Sequence, residues 1–254
     1  MHYKNLAIHA YNLQREVTLL LVFQPPDSST LYCDLFPVVW KQLNFPAEDR
    51  IIKHRVSYIQ RLAFGYEQTV SDSSSAVHHS VHRTFQEDDN RVASSEWIDI
   101  KRGDATSITG TEDEKKFGPV THNPDTNAVA CENKSNTPMD LNLGLVRGKG
   151  VDERFEPTLL WKDLQRGTSA ITEFKPILQV YVDKGNKGSS VLLLVVDPCA
   201  HRQHHKDYQV LREKLELDPI LTQDLNELDD VTSWTLIEHS ETGGYRLEPD
   251  TVVG

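Results

Sequence analysis

"VVWKQL" at Val38–Leu43 and "LLWKDL" at Leu159–Leu164 are the two stretches from which the predicted fold follows. Each has two aliphatic residues, a tryptophan, a lysine, a polar residue and a leucine, and each comes after a strand-like apolar run. A pattern that recurs in the same order along a chain is the sequence signature of a repeat. The pair therefore indicates that one unit of the chain was copied, with Trp40 corresponding to Trp161.

Three further pairs of stretches recur in the same order as the tryptophan motif. They are "AYNLQREVTLLLV" from Ala10 with "CENKSNTPMDLNLGLV" from Cys131, "VSYIQRLAFGY" (56–66) with "ITEFKPILQVYV" (171–182), and "VASSEWIDI" (92–100) with "VTSWTLIE" (231–238). The last pair makes Trp97 correspond to Trp234. The alternative interpretation is that two unrelated β regions resemble each other because alternation of polar and apolar residues governs both.

Short runs rich in β-branched and aromatic residues, separated by turn clusters such as "QPPDSS" and "NFPAED", predict a strand-dominated chain. The expected fold class is all-β, made of two tandem β-sandwich-like halves related by duplication. The first half spans residues 1–110, and the second spans residues 128–254. Residues 111–127 are charged, rich in Gly, Pro, Asn and Thr, and predicted to be the linker.

One segment of the second half has helical rather than strand periodicity. In "HKDYQVLREKLEL", the apolar residues Tyr208, Leu211 and Leu215 stand at positions i, i+3 and i+7. Pro219 discourages continuation of a helix beyond this segment. A short helix at about residues 204–217 is therefore predicted as an insertion in the second half.

Composition limits the classes of partner. The formal net charge is −11, from 38 acidic and 27 basic residues, which disfavours nucleic acids and anionic membrane surfaces because both attract clustered Lys and Arg. The longest apolar runs have six or seven residues, whereas a membrane-spanning helix needs about 20. No signal-peptide pattern is evident at the N-terminus. Three widely separated cysteines suit a reducing compartment, so a cytosolic location is expected.

Two histidine clusters are the candidate metal site. "HHSVH" spans His78–His82 and "HRQHH" spans His201–His205, so each cluster has an outer pair four residues apart. On a helix, His78 and His82, or His201 and His205, would share one face and could bind a divalent ion such as zinc or copper. A patch that responds to pH is a second interpretation. The third, favoured by the Ser- and Asp-rich surroundings of the first cluster, is a solvated surface without a function.

The four tryptophans divide into two pairs. Trp40 and Trp161 follow aliphatic residues at the ends of predicted strands, which favours a place in the core. Trp97 and Trp234 are candidates for binding a ligand through an exposed ring.

The expected function is that of a cytosolic ligand-binding or protein-interaction module built from duplicated β-sandwich units, with a small molecule, a glycan or a protein as its ligand. The alternative is an enzyme, a hydrolase or a cyclase, with its site at the interface of the two halves. In that case, a metal held by the paired histidine clusters would assist the reaction.

Overall fold

The computed structural model describes residues 3–66, 96–111, 114–183, 193–194, 209–211, 215, 218–239 and 243–250. Strands dominate these residues, and two single-turn 3₁₀ helices, Gly150–Asp152 and Leu225–Glu227, are the helical elements among them. The predicted all-β class is confirmed. Within the described part of the chain, no helix has the length and apolar content needed to cross a bilayer.

Twenty strands follow one another in the part of the chain that the structure describes. They are β1 (Tyr3–Ala10), β2 (Val17–Phe23), β3 (Leu35–Pro37), β4 (Val39–Phe45), β5 (Ile52–Ile59), β6 (Leu62–Tyr66), β7 (Glu96–Ile100), β8 (Asp104–Gly110), β9 (Lys115–Phe117), β10 (Thr121–His122), β11 (Val129–Asn133), β12 (Met139–Arg147), β13 (Arg154–Leu164), β14 (Ser169–Thr172), β15 (Ile177–Asp183), β16 (Leu193–Leu194), β17 (Gln209–Val210), β18 (Leu221–Asp224), β19 (Val231–His239) and β20 (Gly244–Pro249).

The strands form four large sheets and one small pair. Sheet 1 has the order β20-β19-β1-β5, sheet 2 has β18-β15-β2-β4, and sheet 3 has β3-β13-β12-β6-β7. Sheet 4 has the order β10-β8-β11-β14, with β9 also paired to β8, and β16 pairs with β17 alone. Each large sheet therefore combines strands from before and after the predicted linker at 111–127. That segment contains β9 and β10, which pair with β8 in the same sheet as β11.

The helix predicted at about residues 204–217 is wrong where the structure describes it. Gln209 and Val210 form a strand paired with β16, and Val210 also bridges to Val38. The backbone N–H of Leu211 donates to the carbonyl of Pro37 at 2.9 Å, and both Val210 and Leu211 are buried. Long-range strand pairing overrides the local helical periodicity here. Most of the remaining predicted segment lies outside the described residues.

Aromatic contacts show which sheets pack face to face. Tyr58 of sheet 1 lies 6.0 Å from Phe23 and 6.4 Å from Trp40 of sheet 2, measured between ring centroids. Tyr66 of sheet 3 lies 5.0 Å from Phe117 of sheet 4. Alternation along each strand directs one row of side chains inward. One continuous apolar cluster includes buried residues from all four large sheets.

The chain passes from sheet 3 to sheet 2 at Val38. Pro37 pairs with Leu159 at the edge of sheet 3, and the N–H of Val38 donates to the carbonyl of Thr158 at 2.9 Å. The next residues form β4 in sheet 2. The edges of sheets 2 and 3 therefore meet at this crossing, where β4 begins beside β13.

The pairing pattern around β1 and β2 recurs around β11 and β12. β1 pairs with β19 in parallel and with β5 in antiparallel fashion, and β11 pairs in the same two ways with β8 and β14. β2 lies between β15 and β4, and β12 lies between β6 and β13. The strands β1, β2, β4 and β5 therefore take the same positions as β11, β12, β13 and β14, in the same order. The remaining neighbours differ in order, since β15 and β19 come later in the chain than β1 and β2, whereas β6 and β8 come earlier than β11 and β12.

Trp40 and Trp161 lie on these corresponding strands, but at different registers. In β4, Leu21 pairs with Lys41 and Val22 with Val39, so Trp40 is the extra residue of a β-bulge. Trp161 pairs directly with Leu141 in β13. The matching sequence motifs therefore do not place the two indoles at the same height along their strands.

The remaining tryptophan pair does not correspond at all. Trp97 is on the edge strand β7 and pairs with Gly65 of β6 in antiparallel fashion. Trp234 is on β19 and pairs with Ile8 of β1 in parallel fashion. The predicted match between Trp97 and Trp234 is wrong, because the short apolar pattern around them recurs in strands with different neighbours.

Candidate functional site

A cleft of about 880 Å³ lies between the segment 24–35, which connects β2 to β3, and residues 161–175, which run from the end of β13 through β14. This volume falls within the range of about 300–1,000 Å³ that is typical of ligand sites. The cleft brings together two regions that are more than a hundred residues apart in the chain.

The first wall of the cleft is a tight loop. The N–H groups of Cys33, Asp34 and Leu35 all donate to the carbonyl of Thr30, at 3.0, 3.0 and 3.1 Å. Tyr32 has a φ of 64°, a left-handed conformation that is costly for a bulky residue. The carbonyl of Asp34 accepts a hydrogen bond from the N–H of Lys162 at 2.8 Å. This bond ties the loop to β13 and holds the wall in place.

The opposite wall is strand β14, Ser169–Thr172. It pairs with β11 on one side and ends the strand order of sheet 4. Its side chains alternate in burial, with Ala170 and Thr172 buried and Ser169 and Ile171 exposed. The cleft is therefore bordered by the edge of a β-sheet.

Trp161 and Leu35 belong to the apolar part of the lining, together with Pro25, Pro26, Leu164 and Ile171. Both are buried, and the Trp161 ring lies 6.3 Å from Phe64 in the core, so the ring is held by packing from behind. Trp161 and Trp40 were both predicted to be core residues, and their burial confirms this. Cys33 is an exposed free thiol in the lining.

Carboxylates outnumber lysines in the lining. The lining contains two lysines, Lys162 and Lys175, and four acidic residues, Asp27, Asp34, Asp163 and Glu173. Lys162 pairs with Asp140 at 3.1 Å, outside the lining. Among the described residues, none of the four lining carboxylates has an ion-pair partner. Four carboxylates and two lysines give the lining a formal charge of −2.

A second polar cluster surrounds Glu156, whose side chain is only 4 % exposed. Its carboxylate accepts hydrogen bonds from the indole N–H of Trp40 at 2.8 Å and from Lys41 Nζ at 2.9 Å. Arg147 Nε lies 3.0 Å from the same carboxylate. A buried carboxylate with three donors is well satisfied, which fits a structural role at the crossing between sheets 2 and 3.

A third cluster contains residue types found in hydrolases. His9 Nε2 lies 3.0 Å from Thr235 Oγ1, and the hydroxyls of Ser233 and Thr235 both donate to the carboxylate of Asp250. Burial opposes ionisation of Asp250, but these hydroxyls and the nearby charges of His9 and Lys53 together hold its pKa below the usual value. Because the Thr235 hydroxyl donates to Asp250, it can only accept a hydrogen bond from His9 Nε2, and this nitrogen is then a donor and not a base. Ser233 is bonded to the acid and not to the imidazole. The cluster therefore lacks the order nucleophile–base–acid.

Of the residues predicted to form a site, the structure describes Trp97 and Trp234, and neither of them lines the cleft. His78, His82, His201 and His205 are outside the described residues, so the zinc or copper site stays a prediction. Within the described residues, no group of three or more His, Cys, Asp or Glu is arranged to hold a metal ion. Trp234 is 3 % exposed in the core and offers no free ring face. Trp97 is partly exposed and stacks on Phe155 at 6.4 Å, and its ligand role stays a prediction.

The lining of the cleft was missed because its residues are separated in the sequence. "QPPDSS" by itself predicts only a turn cluster, and "SAIT" (169–172) is too short to mark an edge strand. No protein-family model, curated protein or solved structure matches the chain. The geometry of the cleft is therefore the basis on which a function can be argued.

Proposed function

We propose that the chain is a cytosolic binding module whose ligand occupies the cleft between residues 24–35 and β14. The observation that carries this proposal is the cleft itself, a ligand-sized space bordered by a sheet edge on one side and a tied loop on the other. Ligand sites favour concave surfaces where separate structural units meet.

The proposed architecture consists of two β-sandwich lobes related by duplication. Sheets 1 and 2 would form one lobe, and sheets 3 and 4 the other, as the aromatic contacts within each pair of sheets support. The chain would begin in the first lobe, build most of the second from residues 62–172, and return to the first. The recurring strand order around β1 and β11 supports the duplication. The cleft would then lie at the second lobe, between its strands β13 and β14 and the connection that enters it from β2.

Binding is favoured over the alternative of a hydrolase or cyclase. Cys33 and the hydroxyls of Ser28, Thr30 and Ser169 line the cleft, but each needs an adjacent base to act as a nucleophile. No histidine is among the described residues that line it. The lining residues can donate and accept hydrogen bonds, which is what recognition of a ligand requires.

The proposal is tested by blocking the cleft at Cys33. Cys131 is buried, and burial, together with the charge of Glu132, raises the pKa of its thiol to about 12, so it stays unreactive at neutral pH. With Cys199 replaced by serine, a bulky maleimide therefore labels Cys33. Peptides, oligosaccharides and small amphipathic molecules are screened by nuclear magnetic resonance, with the Trp161 indole and the Ile171 methyl groups as reporters.

We expect at least one chemical class to shift both reporters and to lose binding when Cys33 carries the bulky group. The matched control carries the same group at Val151→Cys in a Cys33→Ser background, because Val151 is 83 % exposed and does not line the cleft. This control should bind like the unlabelled protein. If no class shifts the reporters, or if blocking Cys33 changes nothing, the cleft is not the binding site.

A further inference from the structure

We infer that the ligand of the cleft is an extended peptide segment with basic side chains, which adds to sheet 4 as a new strand beside β14. This inference rests on the proposed binding function of the cleft and specifies its partner. Strand addition supplies affinity through main-chain hydrogen bonds and specificity through alternate side chains.

The backbone of β14 has hydrogen-bonding groups directed away from β11, at the edge of sheet 4. Residues of an antiparallel strand alternate between pointing their N–H and C=O at one neighbour and at the other. The N–H of Asn133 donates to the carbonyl of Thr168, and Thr172 pairs with Val129 four residues along the strand. This alternation assigns Ala170 and Thr172 to the bonds with β11. The N–H and C=O groups of Ser169 and Ile171 consequently point away from β11, at the sheet edge.

The side chains of β14 supply a second and independent observation. Thr172 lines the cleft and is 95 % buried, since its relative exposure is 5 %, and its Oγ1 has no hydrogen-bond partner among the described residues. A buried hydroxyl without a partner costs about 1–3 kcal/mol. Ile171 is 62 % exposed, which is unusual for a large apolar side chain in a strand. It would pack against an apolar side chain of an added strand.

Charge selects the kind of peptide. The four lining carboxylates have no ion-pair partner among the described residues, and the whole chain carries a net charge of −11. An acidic peptide would be repelled by the lining carboxylates and by the net charge of the chain, whereas lysine or arginine side chains would be attracted by both. The four residues of β14 span about 13 Å at roughly 3.3 Å per residue. The expected partner is therefore a basic segment of about four to six residues, counted from the same spacing.

The first test uses methylated peptides and leaves the protein unchanged. The probe is the hexapeptide Ac-Lys-Thr-Lys-Val-Lys-Thr-NH₂, prepared unmodified and in two N-methylated forms, one methylated at the lysines and the other at the remaining residues. Only alternate N–H groups of an added strand face its neighbour. We expect one methylated form to lose at least about tenfold in affinity and the other to stay close to the parent. Equal effects of the two forms would overturn strand addition.

The second test removes one outward donor from β14. Ile171→Pro deletes an N–H that points away from β11 and leaves the bonds between β14 and β11 in place. An edge strand tolerates proline at such a position. Ile171→Ala is the matched control, because it removes the side chain and keeps the donor. We expect the proline variant to bind the hexapeptide at least about tenfold more weakly than the alanine variant. Unfolding curves for both variants establish that each is folded when binding is measured.

The third test separates this inference from the proposed function. The acidic counterpart Ac-Glu-Thr-Glu-Val-Glu-Thr-NH₂ should bind at least about tenfold more weakly than the basic hexapeptide, and the difference should shrink at high salt. The double variant Asp34→Asn, Glu173→Gln should weaken binding of the basic hexapeptide and should not weaken binding of the acidic one. Oligosaccharides or small molecules could bind, and lose binding when Cys33 is labelled, while the hexapeptide does not bind at all. In that case the peptide inference fails and the proposed binding function stands. If nothing binds the cleft, both fail.

Discussion

Trp40 and Trp161 belong to nearly identical motifs, yet their surroundings differ. Trp40 is the bulged residue of β4, and its indole N–H donates to the buried carboxylate of Glu156 at 2.8 Å. Trp161 pairs directly with Leu141, packs near Phe64 and lines the cleft. The first indole belongs to a closed polar cluster at the crossing between sheets, and the second belongs to the wall of an open space.

The difference shows how one sequence motif acquires two roles. A shift of register along the strand decides which neighbours an indole meets, because side chains of a strand alternate between faces and reach only nearby partners. Lys41 and Lys162 follow the two tryptophans and diverge in the same way. Lys41 pairs with buried Glu156, and Lys162 pairs with the half-exposed Asp140. Each of the following changes tests one side of this comparison against the other.

The largest effect is expected from Glu156→Leu. Removing the carboxylate leaves the Trp40 N–H and the cations of Lys41 and Arg147 without their shared acceptor. The free energy of unfolding should fall by about 3 kcal/mol, which is the lower limit of the usual cost of breaking a buried ion pair. The lower limit applies because Arg147 is partly exposed. Glu173→Leu in the cleft is the control and should change stability by less than about 0.5 kcal/mol. Urea unfolding measures both, and equal losses would remove the distinction between the two regions.

A smaller effect is expected from replacing each indole by a phenyl ring. Trp40→Phe deletes a hydrogen bond to a buried charged acceptor, whereas Trp161→Phe removes ring area beside the cleft. The free energy of unfolding should fall by about 2 kcal/mol more for Trp40→Phe, the typical value of a bond to a charged group. Chemical denaturation of the two variants under the same conditions gives the difference. A larger loss at Trp161 would mean that the cleft side, and not the crossing, holds the fold together.

The lysine pair should show the same ranking on a reduced scale. Lys41→Met removes a partner of a carboxylate that is 4 % exposed, and about 1–2 kcal/mol should be lost because Trp40 and Arg147 still contact Glu156. Lys162→Met breaks a pair in which both side chains are about 40 % exposed, and less than about 0.5 kcal/mol should be lost. Thermal unfolding at low and high salt checks both values. A strong salt dependence of the loss at Lys41 would contradict its placement in a buried cluster, because salt screens buried pairs only weakly.

The smallest effect on stability is expected from alkylation of Cys33, although its reactivity should be high. Cys33 is exposed at the cleft, so a small alkyl group there should change the unfolding free energy by less than about 0.5 kcal/mol. Cys131 should stay unmodified at pH 8, because burial raises the pKa of its thiol to about 12 and the thiolate is the reactive form. Mass spectrometry of peptides from the folded and the urea-unfolded protein gives the ratio of Cys131 labelling to Cys33 labelling in each state. Labelling of Cys131 in the folded protein would show that its sheet opens.

Much of the fold could be predicted from the sequence. Alternating runs such as "VTLLLVF" predict strands, and the structure forms β2 at that place. The helix at about 204–217 failed at Gln209 and Val210 because a partner strand and the bridge to Val38 stabilise extended backbone there. The match of Trp97 with Trp234 failed because the direction of a neighbouring strand leaves no mark in a short apolar pattern. The cleft could not be predicted because the pairing of β3 with β13 and the bond from Lys162 to Asp34 join regions that are far apart in the chain.

By itself, the sequence determined the strand-rich class, the burial of Trp40 and Trp161, and the net negative charge, because these depend on composition and local alternation. Tertiary structure alone decided which strands became neighbours, which indole received the carboxylate of Glu156, and where a sheet edge remained open. Those outcomes depend on pairing between residues far apart in the chain, and hydrogen bonds between strands carry no sequence pattern that marks the partner.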